Sequence, residues 1–155
     1  MRSEPYSYQN DPGVPAFDDS KTVFFMDAQC ALCTGAARFI ARNDTRDQFR
    51  ICPVQTDIGK AVLQHYGLDP SDPSTWMMLH KGRAYTELEA VIKAGGLMKG
   101  LGRLLQPLVL LPKPMRGLAY RVVARNRYRV FGKADMCAVP DEGLKRRLIL
   151  DPAEA

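Results

Sequence analysis

The sequence predicts an α/β domain, and three observations predict it. Short apolar runs rich in strand-forming residues alternate with segments whose apolar residues recur at helical spacing. The chain, at 155 residues, is long enough for one domain with a substantial core. Two cysteines, Cys30 and Cys33, stand where the first apolar run gives way to the first helical segment.

The elements follow in order. Residues 23–26 are a short apolar run and predict a buried strand. From Leu32, the positions Leu32, Ala36, Phe39 and Ile40 form one helical face opposite Arg38 and Arg42, and the helix should end near Asn43 and Asp44. Residues 49–54 predict a second strand, with Pro53 near its end. Thr56 or Asp57 can cap a second helix carrying Ile58, Ala61, Val62, His65 and Tyr66, with Gly67 as its stop. Residues 68–75 hold two prolines, two aspartates and two serines and predict a loop. Residues 76–80 and 83–86 predict a hairpin turned at Lys81 and Gly82, with Trp76, Met77 and Met78 in the core. A third helix follows from Glu87 to Ala94, Leu88, Val91 and Ile92 inward, ending at Gly95 and Gly96. This β-α-β-α-β-β-α order, one βαβ unit followed by a hairpin and a helix, is the layout of a thioredoxin-like core.

Beyond Gly96, Leu97, Leu101, Leu104, Leu105 and Leu108 keep helical spacing, but Pro107, Pro112 and Pro114 break it. A last helix is expected from Met115 to about Tyr128, with Leu118, Val122 and Val123 on its apolar face and Arg121, Arg125 and Arg127 outward. The domain is therefore expected over residues 21–137, including a helical C-terminal extension at about 97–132. Residues 1–20, with four acidic residues, three prolines and no apolar segment, are expected as a mobile tail and not as a signal peptide or membrane anchor. Residues 138–155 are expected as a C-terminal tail.

Four cysteines are too few for a disulfide-stapled secreted scaffold, so a reducing cytoplasmic setting is expected, where cysteine pairs serve catalysis, redox sensing or metal binding. The net charge of +5 is uneven, because residues 91–150 hold thirteen Lys and Arg against three Asp and Glu. Such a basic end can face nucleic acid or an anionic surface, and it is more commonly a solvated face.

The cysteine pair carries the chemistry. A thiol attacks a disulfide as the thiolate, and the unpaired N–H groups and dipole of a helix N-terminus stabilise that charge. Cys30 would sit at the first turn as nucleophile. Cys33, one turn on, could then resolve a mixed disulfide. Asp27 precedes them at the strand exit. Its charge would raise a thiol's pKa, so it reads either as a base for the Cys33 proton or as a helix cap. Zinc is the rival reading, but it usually takes two close ligand pairs, and Cys52, Cys137, His65 and His80 are scattered. Cys52 reads as a buried thiol and Cys137 as a third redox thiol at most, while the two histidines are assigned no chemistry.

Several stretches together resemble the DCC family of thiol-disulfide oxidoreductases, named for its Asp-x-x-Cys-x-x-Cys motif. They are Asp27, Cys30 and Cys33 after the apolar strand; Val54-Gln55-Thr56-Asp57; Gly82-Arg83; and Tyr120 with Ala124-Arg125-Asn126-Arg127-Tyr128, Phe131-Gly132 and Cys137. Ala28 stands where the family commonly has glycine. The resemblance implies a thioredoxin-like fold and a dithiol activity with undefined substrates. A thioredoxin-like domain normally places a cis-proline before its third strand, whereas Pro73 lies two residues earlier than that pattern.

The reading is thus thiol-disulfide exchange with a protein or small-molecule disulfide, fed by a cellular reductant and needing no bound cofactor. The alternatives are a binding module using Arg116, Arg121, Arg125, Arg127, Arg129 and Lys133, or a zinc-binding structural protein. No aromatic stacking pattern accompanies the arginines, so nucleic acid is not expected. A membrane-surface role for residues 97–111 is disfavoured by their prolines and short length.

Overall fold

The computed structural model describes residues 4–72, 76–98, 100–136, 138 and 141–151. Pro73 and Cys137, and with them the questions of a cis bond and a third thiol, lie outside the described residues. Strand β1 (Thr22–Met26) is central. It pairs in parallel with β2 (Phe49–Pro53), Thr22 opposite Phe49 and Met26 opposite Pro53. On its other side it pairs antiparallel with β3 (Met77–His80), which turns into β4 (Arg83–Thr86). The sheet order is β2-β1-β3-β4. Lys81 and Gly82 both have positive φ, as a two-residue type I′ hairpin turn requires.

All five residues of β1 are buried because both faces of the sheet are covered. Alternation along the strands sends Phe24, Met26, Phe49, Ile51 and Met78 to one side. There they meet α1 (Ala31–Asn43) through Ala37 and Ile40, and α3 (Glu87–Leu97) through Ala90 and Ala94. Val23, Phe25, Cys52, Met77 and Leu79 face the other way, onto Ile58, Val62 and Leu63 of α2 (Asp57–His65). Thr56 caps α2, its hydroxyl accepting the Gly59 N–H at 3.0 Å. Trp76 is half-buried and stacks on Phe24 with ring centroids 5.9 Å apart. The element order is the expected one.

Three expectations need correction. Helix α3 does not stop at Gly95 and Gly96 but runs to Leu97. Gly96 admits a neighbour instead: a 3-10 segment, Gly100–Leu110, packs there, and Gln106 donates to the Ile92 carbonyl at 2.8 Å. A Cβ on Gly96 would sit 3.2 Å from the Gln106 side chain. Second, the last helix, α4 (Lys113–Phe131), starts earlier and turns a different face inward. Ala124 and Arg127 are buried, while Leu118, Val122 and Val123 are exposed.

Third, the described parts of both tails pack on the core. Tyr8 is buried, stacks on Phe17 and donates to Asp19 at 2.8 Å. His65 of α2 holds this segment through both ring nitrogens, Nδ1 to Asp11 at 2.6 Å and Nε2 to Ser7 at 2.9 Å. At the other end a short helix, α5 (Glu142–Lys145), leads into a stretch that covers the free edge of β2. Ile51 donates to Arg147 O and accepts from Ile149 N, both at 2.8 Å. Asp151 accepts the N–H groups of Asp57 and Ile58 at the start of α2. Polar anchors at a few positions hold these segments, and composition alone does not reveal such anchors.

The C-terminal segment is fixed by Arg147, whose Nε lies 3.3 Å from Asp44, itself 1% exposed at the side chain. Asp44 also accepts the N–H groups of Gln48 and Phe49. Replacing Arg147 by Ala leaves a buried carboxylate without its counter-charge, a loss expected to be about 3–5 kcal/mol. Urea denaturation measures it, and a loss below about 1 kcal/mol would mean that the pair does not anchor the segment.

Candidate active site

Three turns of the chain meet at the C-terminal end of β1. The first carries Asp27, Cys30 and Cys33, the second carries Gln55 after β2, and α4 brings Arg127 and Tyr128 from the far end of the sequence. Cys30 is the N-cap of α1, with extended backbone (φ −95°, ψ 123°), and its Sγ accepts the Cys33 N–H at 3.5 Å. The Cys30 sulfur thus occupies the place of a capping oxygen, against one of the orphaned donors of the first turn. Asp27 is not the cap.

The Asp27 carboxylate is buried and takes four donors. Oδ1 accepts from Gln29 N at 2.9 Å and Gln55 Nε2 at 2.7 Å. Oδ2 accepts from Arg127 Nη2 at 2.6 Å and from the Tyr128 hydroxyl. Burial alone would raise its pKa. The hydrogen bonds from Tyr128, Gln29 and Gln55 and the Arg127 charge outweigh that and hold it below the usual carboxylate value. Burial, with the hydrogen bond to Asp27, pushes the Tyr128 phenol up to about 12. Gln55 is itself fixed, its Oε1 accepting the Ala28 N–H at 3.1 Å.

Arg127 links this carboxylate to the dithiol. Its Nη1 lies 3.6 Å from the Cys33 Sγ while Nη2 holds Asp27. Burial raises the Cys33 thiol's pKa, the Arg127 charge opposes that rise, and the adjacent Cys30 adds to it. Cys30 is fully buried and Cys33 is 7% exposed. The cover over Cys30 is the chain leaving α4. Gly132, at φ +78°, turns it back so that Ala134 donates to Gln29 O and Met136 to Ala28 O, with Lys133 bridged to Cys30.

Asp27, Cys30 and Cys33 therefore come together as the sequence suggests. Cys52 does not join them; it packs on the α2 side of the sheet, and burial pushes its thiol up to about 12. Among the described residues no three His, Cys, Asp or Glu side chains converge as metal ligands. His65 is engaged with Asp11 and Ser7, and His80 with Thr22 at 2.7 Å. Arg127, Tyr128 and Gln55 were not recognisable as site residues from composition or periodicity; the family-like segments that contain them were the available signal.

The sheet order, with a dithiol at the N-terminus of the first helix, is compatible with a thioredoxin-like fold. The chain belongs to the DCC1-like thiol-disulfide oxidoreductase family, whose model matches residues 24–133. It is 32% identical over 127 residues to the uncharacterized protein YuxK of Bacillus subtilis (strain 168), covering 82% of this chain and 93% of that one. It is also 32% identical over 124 residues to the DCC family protein At1g52590, chloroplastic, of Arabidopsis thaliana, covering 77% and 70%. No solved structure matches the chain. Among the described residues no helix is long and apolar enough to cross a membrane.

Asp27 makes the site pH-dependent in a definite direction. Its folded pKa lies below the unfolded value of about 3.9, so its contribution to stability is complete above that value and is lost as pH falls through the folded pKa. The stability difference between wild type and Asp27→Asn should be constant near neutrality and shrink on acidification through the carboxylate range. Chemical denaturation as a function of pH tests this, and a difference that stays constant down to acid unfolding would contradict it.

Proposed function

We propose that the protein exchanges thiols and disulfides through Cys30 and Cys33, Cys30 attacking and Cys33 resolving. A protein or small-molecule disulfide is the oxidant and a cellular dithiol restores the pair. The observation that carries this reading is the shared guanidinium of Arg127, bound to Asp27 on one side and facing the Cys33 sulfur on the other. A thiolate formed in the pair has a fixed cation beside it and the first turn of α1 beneath it. The family membership supports the same chemistry. Cys30 attacks the substrate disulfide, one substrate thiol leaves with a proton, and Cys33 then displaces the second by closing the Cys30–Cys33 disulfide. We assign Asp27 to positioning Arg127. A base role is less well supported, because its lowered pKa makes it a weak proton acceptor.

One observation favours the reverse order of attack. Cys33, and not Cys30, keeps some exposed surface and lines a cavity. Serine variants separate the two orders, with turnover read by insulin reduction with dithiothreitol and trapping read with pre-reduced protein freed of dithiothreitol. With Cys30 attacking, Cys33→Ser accumulates a mixed disulfide and Cys30→Ser is inert; with Cys33 attacking, the trapped species appears in Cys30→Ser. Full turnover in both variants would sink the exchange reading altogether.

A further inference from the structure

An apolar cavity of about 390 Å³ lies between α1, α3, α4 and the 3-10 segment. Its wall includes Leu32, Ala36, Trp76, Val91, Leu108 and Val123, and Cys33 and Arg127 stand in the same wall. Cys30 does not line it. A second cavity of about 520 Å³ adjoins it, sharing Met26, Leu32, Ala36, Trp76 and Val91, and continues along α1 past Phe39. The volume falls in the range of small-molecule sites. Cys33 keeps 7% exposure and stands in the wall, so a molecule seated in the cavity meets a sulfur of the pair.

We propose that this cavity is the substrate site of the dithiol and that it takes low-molecular-weight disulfides with uncharged, apolar arms. The proposal rests on the second of the two orders above, in which Cys33 attacks first, and a mixed disulfide trapped in Cys33→Ser but not in Cys30→Ser overturns it. Among the described residues Arg127 is the wall's one cation, and Asp27 already neutralises it, so the described wall selects against charge. A disulfide with charged arms, such as oxidised glutathione, would have to bury several charges with no partner. In the step itself the Cys33 thiolate attacks one ligand sulfur. A Cys33–ligand disulfide forms, the ligand's S–S bond breaks, and the leaving thiolate takes a proton. The Cys30 thiolate then attacks the Cys33 sulfur, closing the Cys30–Cys33 disulfide and releasing the second ligand thiol. Two electrons and two protons pass from the dithiol to the ligand, and an external dithiol reduces the protein again.

Trp76 is the chain's only tryptophan and lines both cavities, so it reports on occupancy. The test uses the full chain, reduced with dithiothreitol, against diphenyl disulfide and oxidised glutathione, each rate divided by that of the same disulfide with free N-acetylcysteine. The expected preference for the aromatic disulfide is at least about a hundredfold. Diphenyl sulfide, which cannot be reduced, should change Trp76 emission saturably. Val91→Phe, which fills the shared wall, should cut the preference about tenfold or more. Insulin reduction with no such preference, or no saturable Trp76 response in the wild type, overturns the cavity assignment and leaves the exchange reading standing. Reduction of neither insulin nor either small disulfide overturns both.

Discussion

The ion pair between Asp27 and Arg127 holds the two ends of the domain together. Both side chains are almost wholly withdrawn from water, at 6% and 4% exposure, and a buried pair is costly unless its remaining hydrogen-bonding capacity is met. Here the carboxylate is saturated by donors from Gln29, Gln55, Arg127 and Tyr128. Helix α4 needs such a tie, because much of its apolar surface does not face the core. Met115, Leu118, Val122 and Val130 are all more than half exposed. Once Arg127 is seated, Gly132 can turn the chain back over Cys30, and Met136 enters the core beside α1.

The same pair sets the electrostatics of the dithiol. Two opposed effects act on Cys33: burial favours the neutral thiol, and the guanidinium favours the thiolate. Asp27 tempers the second effect by neutralising Arg127, yet it also keeps Arg127 where the sulfur can feel it. A freely moving surface arginine would be screened by solvent and would do little. The first turn of α1 adds donors at Cys30, so each sulfur has its own stabilising contact.

Much of the fold could be read from the chain, and the reasons are physical. Strand and helix periods, the Thr56 cap and the Lys81-Gly82 turn are local signals, so the β-α-β-α-β-β-α order and the place of Cys30 and Cys33 followed from them. The misreadings share a cause. Arg127 was expected outward because an arginine on an amphipathic helix normally is, and the partner that draws it inward lies a hundred residues earlier in the chain. Gly95 and Gly96 look like a helix stop, yet the helix runs through both and Gly96 leaves room for the Gln106 side chain. The tail segments carry too few apolar residues to announce a core, and they are fixed by His65, Asp44 and Asp151, each acting across a long separation.

The midpoint potential of the Cys30–Cys33 couple in Asp27→Asn, with and without Arg127→Gln, reads out whether Arg127 stabilises a thiolate in the reduced dithiol. In this pair of variants neither protein leaves the Asp27 carboxylate buried without a partner. If the guanidinium favours the thiolate, removing it lowers the potential, because the reduced form loses its counter-charge. Equal potentials in the two variants would mean that Arg127 gives the thiolate no stabilisation.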